Sequence, residues 1–229
     1  MKHVLITGAT STLGFATTRL FLSHGYHVYG CYTHQSEKLE TLQKISGVTT
    51  LPLDVTSPDG FSVLSDIASL DVLVNNSGVF VSHTEAEIPI GEWDKVFGVN
   101  IRGMHLVVQK LLPVLARTGA IVNIASINAM HPGFGGTVGY DASKGAVVSY
   151  TRSLAAEIAP IRVNAVAPGL LDAPYLHTEG NLVRSKFEGR ALLGRMVKPE
   201  EVASAVLFES ENTAMTGQVI VVDCGYMMG

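Results

Sequence analysis

The sequence is poor in the features that mark membrane, nucleic-acid and secreted proteins. Of its 229 residues only two are cysteine, Cys31 and Cys224, too few for a disulfide framework or a cysteine metal site. Both stand in apolar, strand-like surroundings and read as buried thiols. Charged residues make up 16% of the chain, 16 Lys and Arg against 20 Asp and Glu, with no block of one sign. That excludes the electrostatic footprint of a nucleic-acid or anionic-membrane binder and leaves small molecules as the expected partners. No apolar run reaches the roughly 18 residues of a membrane span, and the apolar start Val4–Ile6 is broken by Thr7 and Gly8, so a cytoplasmic protein is expected. The eight histidines show no metal-ligand spacing. His83, His131 and His177 read as solvated surface residues, and no metal is expected.

What the chain has in quantity is apolar material: 47% of residues are hydrophobic and the mean hydropathy is +0.30, enough for the core of a single domain spanning residues 1–229. Short β-rich runs recur at Lys2–Ile6, His27–Tyr32, Thr49–Leu53, Val72–Asn75, Ala120–Ala125, Ile161–Ala167 and Gln218–Val222. Between them lie helical patterns, Leu13, Ala16 and Leu20 in the first and Val147, Thr151, Leu154 and Ile158 in a later one. Strands alternating with helices build a parallel sheet, and strands apolar throughout are buried on both faces. The expected fold is α/β: a doubly wound, parallel, seven-stranded Rossmann-like sheet with helices on both faces. Such sheets bind ligands beyond the carboxyl ends of their strands, so the irregular stretches Gly78–Gly91, Ile127–Gly139 and Gly169–Gly194 are where substrate contacts belong.

After the first strand comes Thr7-Gly8-Ala9-Thr10-Ser11-Thr12-Leu13-Gly14, which lacks a strict GxGxxG pattern. Its glycines and small hydroxylated residues can hold a pyrophosphate at a helix N-terminus, or can simply cap and pack that helix. Tyr140 and Lys144 are four apart on a predicted helix and share a face. A phenol of ordinary pKa about 10 is a poor acid or base at neutral pH, and an adjacent ammonium favours the phenolate. A shift of about three units corresponds to roughly 4 kcal/mol, which requires a desolvated pair. Ser126, at the end of the fifth run, is placed to donate a hydrogen bond to a substrate oxygen as charge develops on it.

These elements, in this order, resemble the short-chain dehydrogenase/reductase family over essentially the whole chain. Thr7 to Gly14 is similar to its TGxxxGxG turn, Asp54-Val55 to its adenine-contacting Asp, and Asn75-Asn76-Ser77-Gly78 to its NNAG box. Asn100, Ser126 and Tyr140-Asp-Ala-Ser-Lys144 match its catalytic set, Pro168-Gly169 its PG turn, and Thr216-Gly217-Gln218 the opening of its last strand. The resemblance implies a nicotinamide cofactor held by Gly8, Ser11, Thr12, Leu13, Gly14, Thr33, His34, Asp54, Val55, Asn76, Ser77, Gly78, Tyr140, Lys144, Pro168 and Gly169. It implies Tyr140 as general acid/base, Lys144 lowering its pKa and holding the ribose, Ser126 steadying the carbonyl oxygen, and Asn100 supporting a proton relay. Asn76 is read as tying adjacent strands together through its amide.

The departures from the pattern are specific. Thr12 replaces the middle glycine of the turn, Ser126 and Tyr140 are one residue further apart than is usual, and Ala173 stands where a threonine is common. No carboxylate occurs in Gly30–His34; Tyr32 occupies its position, and Thr33 and His34 are donors for a 2′-phosphate. NADP(H) is therefore the expected cofactor and NAD(H) the alternative. The overall likeness is to 3-oxoacyl-acyl-carrier-protein reductases, with Phe80, Leu170, Leu171, Tyr175 and Leu176 as an apolar wall and a carbonyl or alcohol as substrate. Arg117 matches one arginine used toward an acidic carrier protein, while the second has no counterpart near Ala159-Pro160. Family members pair through helices corresponding to Glu92–Arg117 and Tyr140–Ala159, implying a homodimer or homotetramer. A second reading, carried by Thr12, is a family-like scaffold or regulator with weak or no cofactor binding.

Overall fold

The computed structural model describes residues 1–133, 135–178 and 181–229; Phe134, Glu179 and Gly180, which fall within two of the expected loops, lie outside the described residues. Seven strands form one sheet: β1 (His3–Ile6), β2 (His27–Tyr32), β3 (Val48–Pro52), β4 (Leu70–Asn75), β5 (Leu115–Ile124), β6 (Arg162–Pro168) and β7 (Val219–Val222). Every pairing is parallel and the order is β3-β2-β1-β4-β5-β6-β7. The helices are α1 (Thr12–Ser23), α2 (Glu37–Gln43), α3 (Ile90–Phe97), α4 (Met104–Leu111), α5 (Val138–Glu157), α6 (Leu182–Arg190) and α7 (Pro199–Glu211). Among the described residues no helix is long and apolar enough to cross a membrane.

Neighbouring strand residues serve opposite faces. Val4, Ile6, Val72, Val74, Val122 and Val166 join a core that includes Leu13 of α1, Phe187 of α6 and Val202 of α7. Leu5, Leu73, Ile121 and Val163 join a second core with Val107, Val108 and Leu111 of α4. The continuous apolar runs thus serve two cores, one on each face of the sheet. Strand order reverses between β1 and β4, which opens a crevice at their carboxyl ends. To one side of it the Asn75 amide on β4 donates to Asn123 Oδ1 on β5 at 2.8 Å, and the Asn123 amide donates to Thr151 Oγ1 at 2.9 Å, fixing α5 relative to β4 and β5.

Three expectations are corrected. The stretch Gly169–Gly194 contains the helix α6, which hides from periodicity because Phe187 is its one buried residue. The helical path expected over Glu92–Arg117 has left α-helix by Leu112, and β5 begins at Leu115. Cys31 is buried as expected, but Cys224 follows β7 with φ +55° and is only half-buried.

Candidate active site

The crevice is built on backbone that no side chain could occupy. Gly8 has φ +62°, and a Cβ on Gly14 would lie 2.2 Å from the Gly8 carbonyl oxygen. Ser11 caps α1 by accepting from Gly14 N–H at 3.0 Å. The Asn76 amide donates to Thr7 O, Gly8 O and Ser11 Oγ at 2.8, 3.0 and 3.2 Å, so the end of β4 is laced to the β1–α1 turn. Thr7 Oγ1 completes the lacing by accepting from the N–H groups of Asn76 and Ser77. Thr12 opens α1 with no left-handed backbone, so its branched side chain introduces no strain there.

Asn100 stands in a π-helical turn, Gly98–Gly103, that links α3 to α4. Its Oδ1 accepts from Val79 N–H at 2.8 Å, and its Nδ2 donates to Val79 O at 3.0 Å and Ser143 Oγ at 2.9 Å. Ser143 Oγ in turn donates to the Tyr140 carbonyl at 2.7 Å. The buried amide therefore pins the loop after β4 and the first turns of α5 together. A Cβ on Gly78 would come to 3.4 Å from both Asn100 Oδ1 and Lys144 Nζ, so glycine keeps that approach open.

Ser126 follows β5, its hydroxyl accepts from Asn128 N–H at 3.2 Å, and it lies near enough to the Tyr140 phenol to lower its pKa. Both side chains line one cleft, so the extra residue between Ser126 and Tyr140 does not send them apart. The Phe80 ring meets Tyr140 edge to face at 5.0 Å. Lys144, 5% exposed, donates to Ile124 O at 2.7 Å and lies 5.7 Å from the Tyr140 ring centre. Here the expected electrostatics are corrected. Burial pushes Tyr140 up to about 12, with nearby Ser126 opposing it and Asp141 and Tyr175 adding to the rise. Burial likewise brings Lys144 down to about 8. Desolvation outweighs the attraction of an ammonium that is occupied by a backbone carbonyl.

A cleft of about 320 Å³ brings together Ser11, Thr12, Leu13, Asn76, Gly78, Ser126, Tyr140, Lys144, Pro168 and Gly169. A larger open groove of about 460 Å³ between Pro58, Phe61 and α4 contains none of the expected site residues. Gly8 and Gly14 shape the turn beneath the cleft, and Ser77 braces it. Thr33 and His34 are exposed at the end of β2, outside the cleft lining. Asp54 accepts from Thr56 N–H and Oγ1, which holds its carboxyl below the usual range, and Val55 is buried where a Cβ on Gly103 would strike it. Phe80, Leu171 and Tyr175 form the apolar wall, joined by Val79, whereas Leu176 is buried in the core and Leu170 packs against it.

The histidines are not simply solvated: His83 meets Glu92, His131 meets Arg190, and His177 bridges Asp172 and Arg184. Among the described residues no cluster suited to a metal ion occurs. Arg117 is exposed in the irregular stretch near the start of β5, at the end of that strand opposite Ser126. Lys38 escaped the sequence reading because 26 residues separate it from its partner; its Nζ donates to Thr12 Oγ1 at 3.3 Å, bringing a cation to the turn that lacks one at Ser11.

Comparisons with known proteins agree with this geometry. The sequence profile of a family described as Enoyl-(Acyl carrier protein) reductase matches residues 8–227. The chain is 37% identical to the 3-oxoacyl-(acyl-carrier-protein) reductase FabG of Thermotoga maritima, over 99% of this chain and 98% of that protein. It is 33% identical to the cyclopentanol dehydrogenase of a Comamonas species, over 98% and 96%. The solved 3-oxoacyl-(acyl-carrier protein) reductase of Brucella melitensis superposes with a TM-score of 0.91 at 29% identity, covering 99% of this chain and 91% of that one. With the turn, the NNSG box and the Ser-Tyr-Lys arrangement in one cleft, the chain belongs to the short-chain dehydrogenase/reductase family, whose members are NAD(P)-dependent oxidoreductases of alcohols and carbonyls.

Proposed function

We propose that this protein is an NADP(H)-dependent reductase that interconverts a ketone, such as a 3-oxoacyl group, and a secondary alcohol. The observation that carries the reading is that Ser126 and Tyr140 share one apolar-walled cleft with buried Lys144. The cleft fits a dinucleotide, since Ser11, Thr12 and Leu13 bring the N-terminus of α1 to it beside Asn76 and Gly78, while Gly8 and Gly14 let the turn beneath pack closely. When bound, the nicotinamide supplies the hydride. Tyr140, pushed up to about 12, stays protonated at neutral pH and donates its proton to the carbonyl oxygen. Ser126 donates to the same oxygen as it gains charge. Lys144 holds the ribose and supports recovery of the phenol proton, and Asn100 fixes Val79 and Ser143 on either side of that path.

Lys38 beside Thr12, together with the absence of a carboxylate at the end of β2, supports NADP(H) over NAD(H). The scaffold reading rests on Thr12, whose side chain lines the cleft, and Thr12→Gly is the variant that separates it from the enzyme reading. The position of Arg117 lends no support to carrier-protein docking at this cleft. The working form is read as a cytoplasmic homodimer or homotetramer.

The test is a fluorescence titration of NADPH and NADH against the wild type and Thr12→Gly, followed by turnover of cyclopentanone and acetoacetyl-coenzyme A. Micromolar NADPH binding, and turnover that Tyr140→Phe abolishes, are expected. A wild type that binds neither cofactor, with affinity recovered by Thr12→Gly, overturns the enzyme reading in favour of the scaffold.

A further inference from the structure

The loop between Ser126 and Tyr140 is gathered around one carboxylate. Asp141 follows Tyr140 in the first turn of α5, and successive helical residues project about 100° apart, so it faces the loop while Tyr140 faces the cleft. Its Oδ1 accepts from Asn128 Nδ2 at 2.6 Å, and its Oδ2 accepts from Thr137 Oγ1 at 2.9 Å and Gly133 N–H at 3.1 Å. The packing there is tight: a Cβ on Gly133 would lie 2.5 Å from Thr137 Oγ1 and 2.6 Å from Asn128 Nδ2. Asn128 is the connection to the chemistry, because its side chain is held by Asp141 while its backbone N–H donates to Ser126 Oγ at 3.2 Å.

We propose that Asp141 is a positioning residue for the reaction, clamping the loop after β5 so that the Asn128 amide holds the Ser126 hydroxyl in the cleft it shares with Tyr140. A hydroxyl has one hydrogen and two lone pairs. With Asn128 N–H on one lone pair, the Ser126 hydrogen is free to turn toward a substrate oxygen. Charge-assisted bonds to a carboxylate are shorter and stronger than neutral ones, and the 2.6 Å contact to Asn128 falls in that class.

The inference rests on the reductase reading, and its test separates the two. Asp141→Ala is expected to lower kcat for cyclopentanone with NADPH at least tenfold while KM and NADPH affinity change less than twofold, with Asp141→Asn intermediate. Hydrogen exchange at Asn128 and Gly133 should rise in Asp141→Ala. In a Ser126→Ala background the same substitution should have no further effect on kcat, because the group it positions is gone. A tenfold loss that persists in that background, or an unchanged kcat in Asp141→Ala, overturns the clamp while the reductase reading stands. A wild type with no ketone turnover overturns both.

Discussion

Lys144 Nζ donates to the Ile124 carbonyl at 2.7 Å and stands 5.7 Å from the centre of the Tyr140 ring, so in the free protein the ammonium is anchored to the end of β5 rather than to the phenol. Burial holds its pKa at about 8. The charged form is therefore present below about pH 8 and lost above it. An anionic dinucleotide binds the charged form more tightly, so NADPH affinity should fall between pH 7 and pH 9 in the wild type. In Lys144→Met, affinity at pH 7 should already be about tenfold lower, as for loss of one charge-assisted contact, and should no longer fall over that window. Fluorescence titration at the two pH values decides it; identical profiles for the two proteins would rule the idea out.

Lys38 is the cation that composition alone could not place. Its contact with Thr12 puts it beside the turn, where a 2′-phosphate distinguishes the two cofactors. Lys38→Ala should weaken NADPH binding about tenfold, the lower end for a half-buried charged partner, and leave NADH binding unchanged. Equal weakening of both cofactors would assign Lys38 to the pyrophosphate or to packing.

Gly14 is bounded by backbone: a Cβ would meet Gly8 O at 2.2 Å and Ala9 Cα at 2.9 Å, neither of which can rotate away. Gly14→Ala should cost about 2–3 kcal/mol of stability, as overpacking does, and should abolish NADPH binding. Gly189 on α6 has nothing within 4 Å of its added Cβ, and Gly189→Ala should be neutral or slightly stabilising in the same melts. Equal melting temperatures for the two variants would show that the turn can relax.

The strands were legible to within a few residues at most ends because a sheet buried on both faces writes itself as apolar runs. The start of β5 was not, since Ala116-Arg117-Thr118-Gly119 has no apolar run and follows a helical path without a break. Helix α6 was illegible for the same reason that it is peripheral, burying only Phe187. The Ser126, Tyr140, Lys144 and Asn100 set was legible through its ordered resemblance to the family's motifs; the spacing of Tyr140 and Lys144 by itself gives only a shared helix face. The direction of the Tyr140 shift could not, because it depends on desolvation and on Ile124 O capturing the ammonium. The contacts that single out Lys38 and Asp141 are created by folding, so no spacing announces them.

Glu209 on α7 is a buried carboxyl with no hydrogen-bond partner for either oxygen among the described residues. Burial raises its pKa from 4.5 to about 8, with the Ile220 backbone amide offsetting part of the rise without closing a hydrogen bond. Between those two values the folded chain keeps a proton that the unfolded chain has lost, so stability falls as pH rises. The contribution is whole below about 4.5 and gone above about 8, and the separation sets a ceiling of about 5 kcal/mol on it. Glu209→Gln keeps the shape and removes the ionisation, so it should melt higher than the wild type at pH 9 and lose that advantage at pH 5. Thermal melts at both pH values test this, and a difference of the same size at each would mean that the carboxyl ionises in place without penalty.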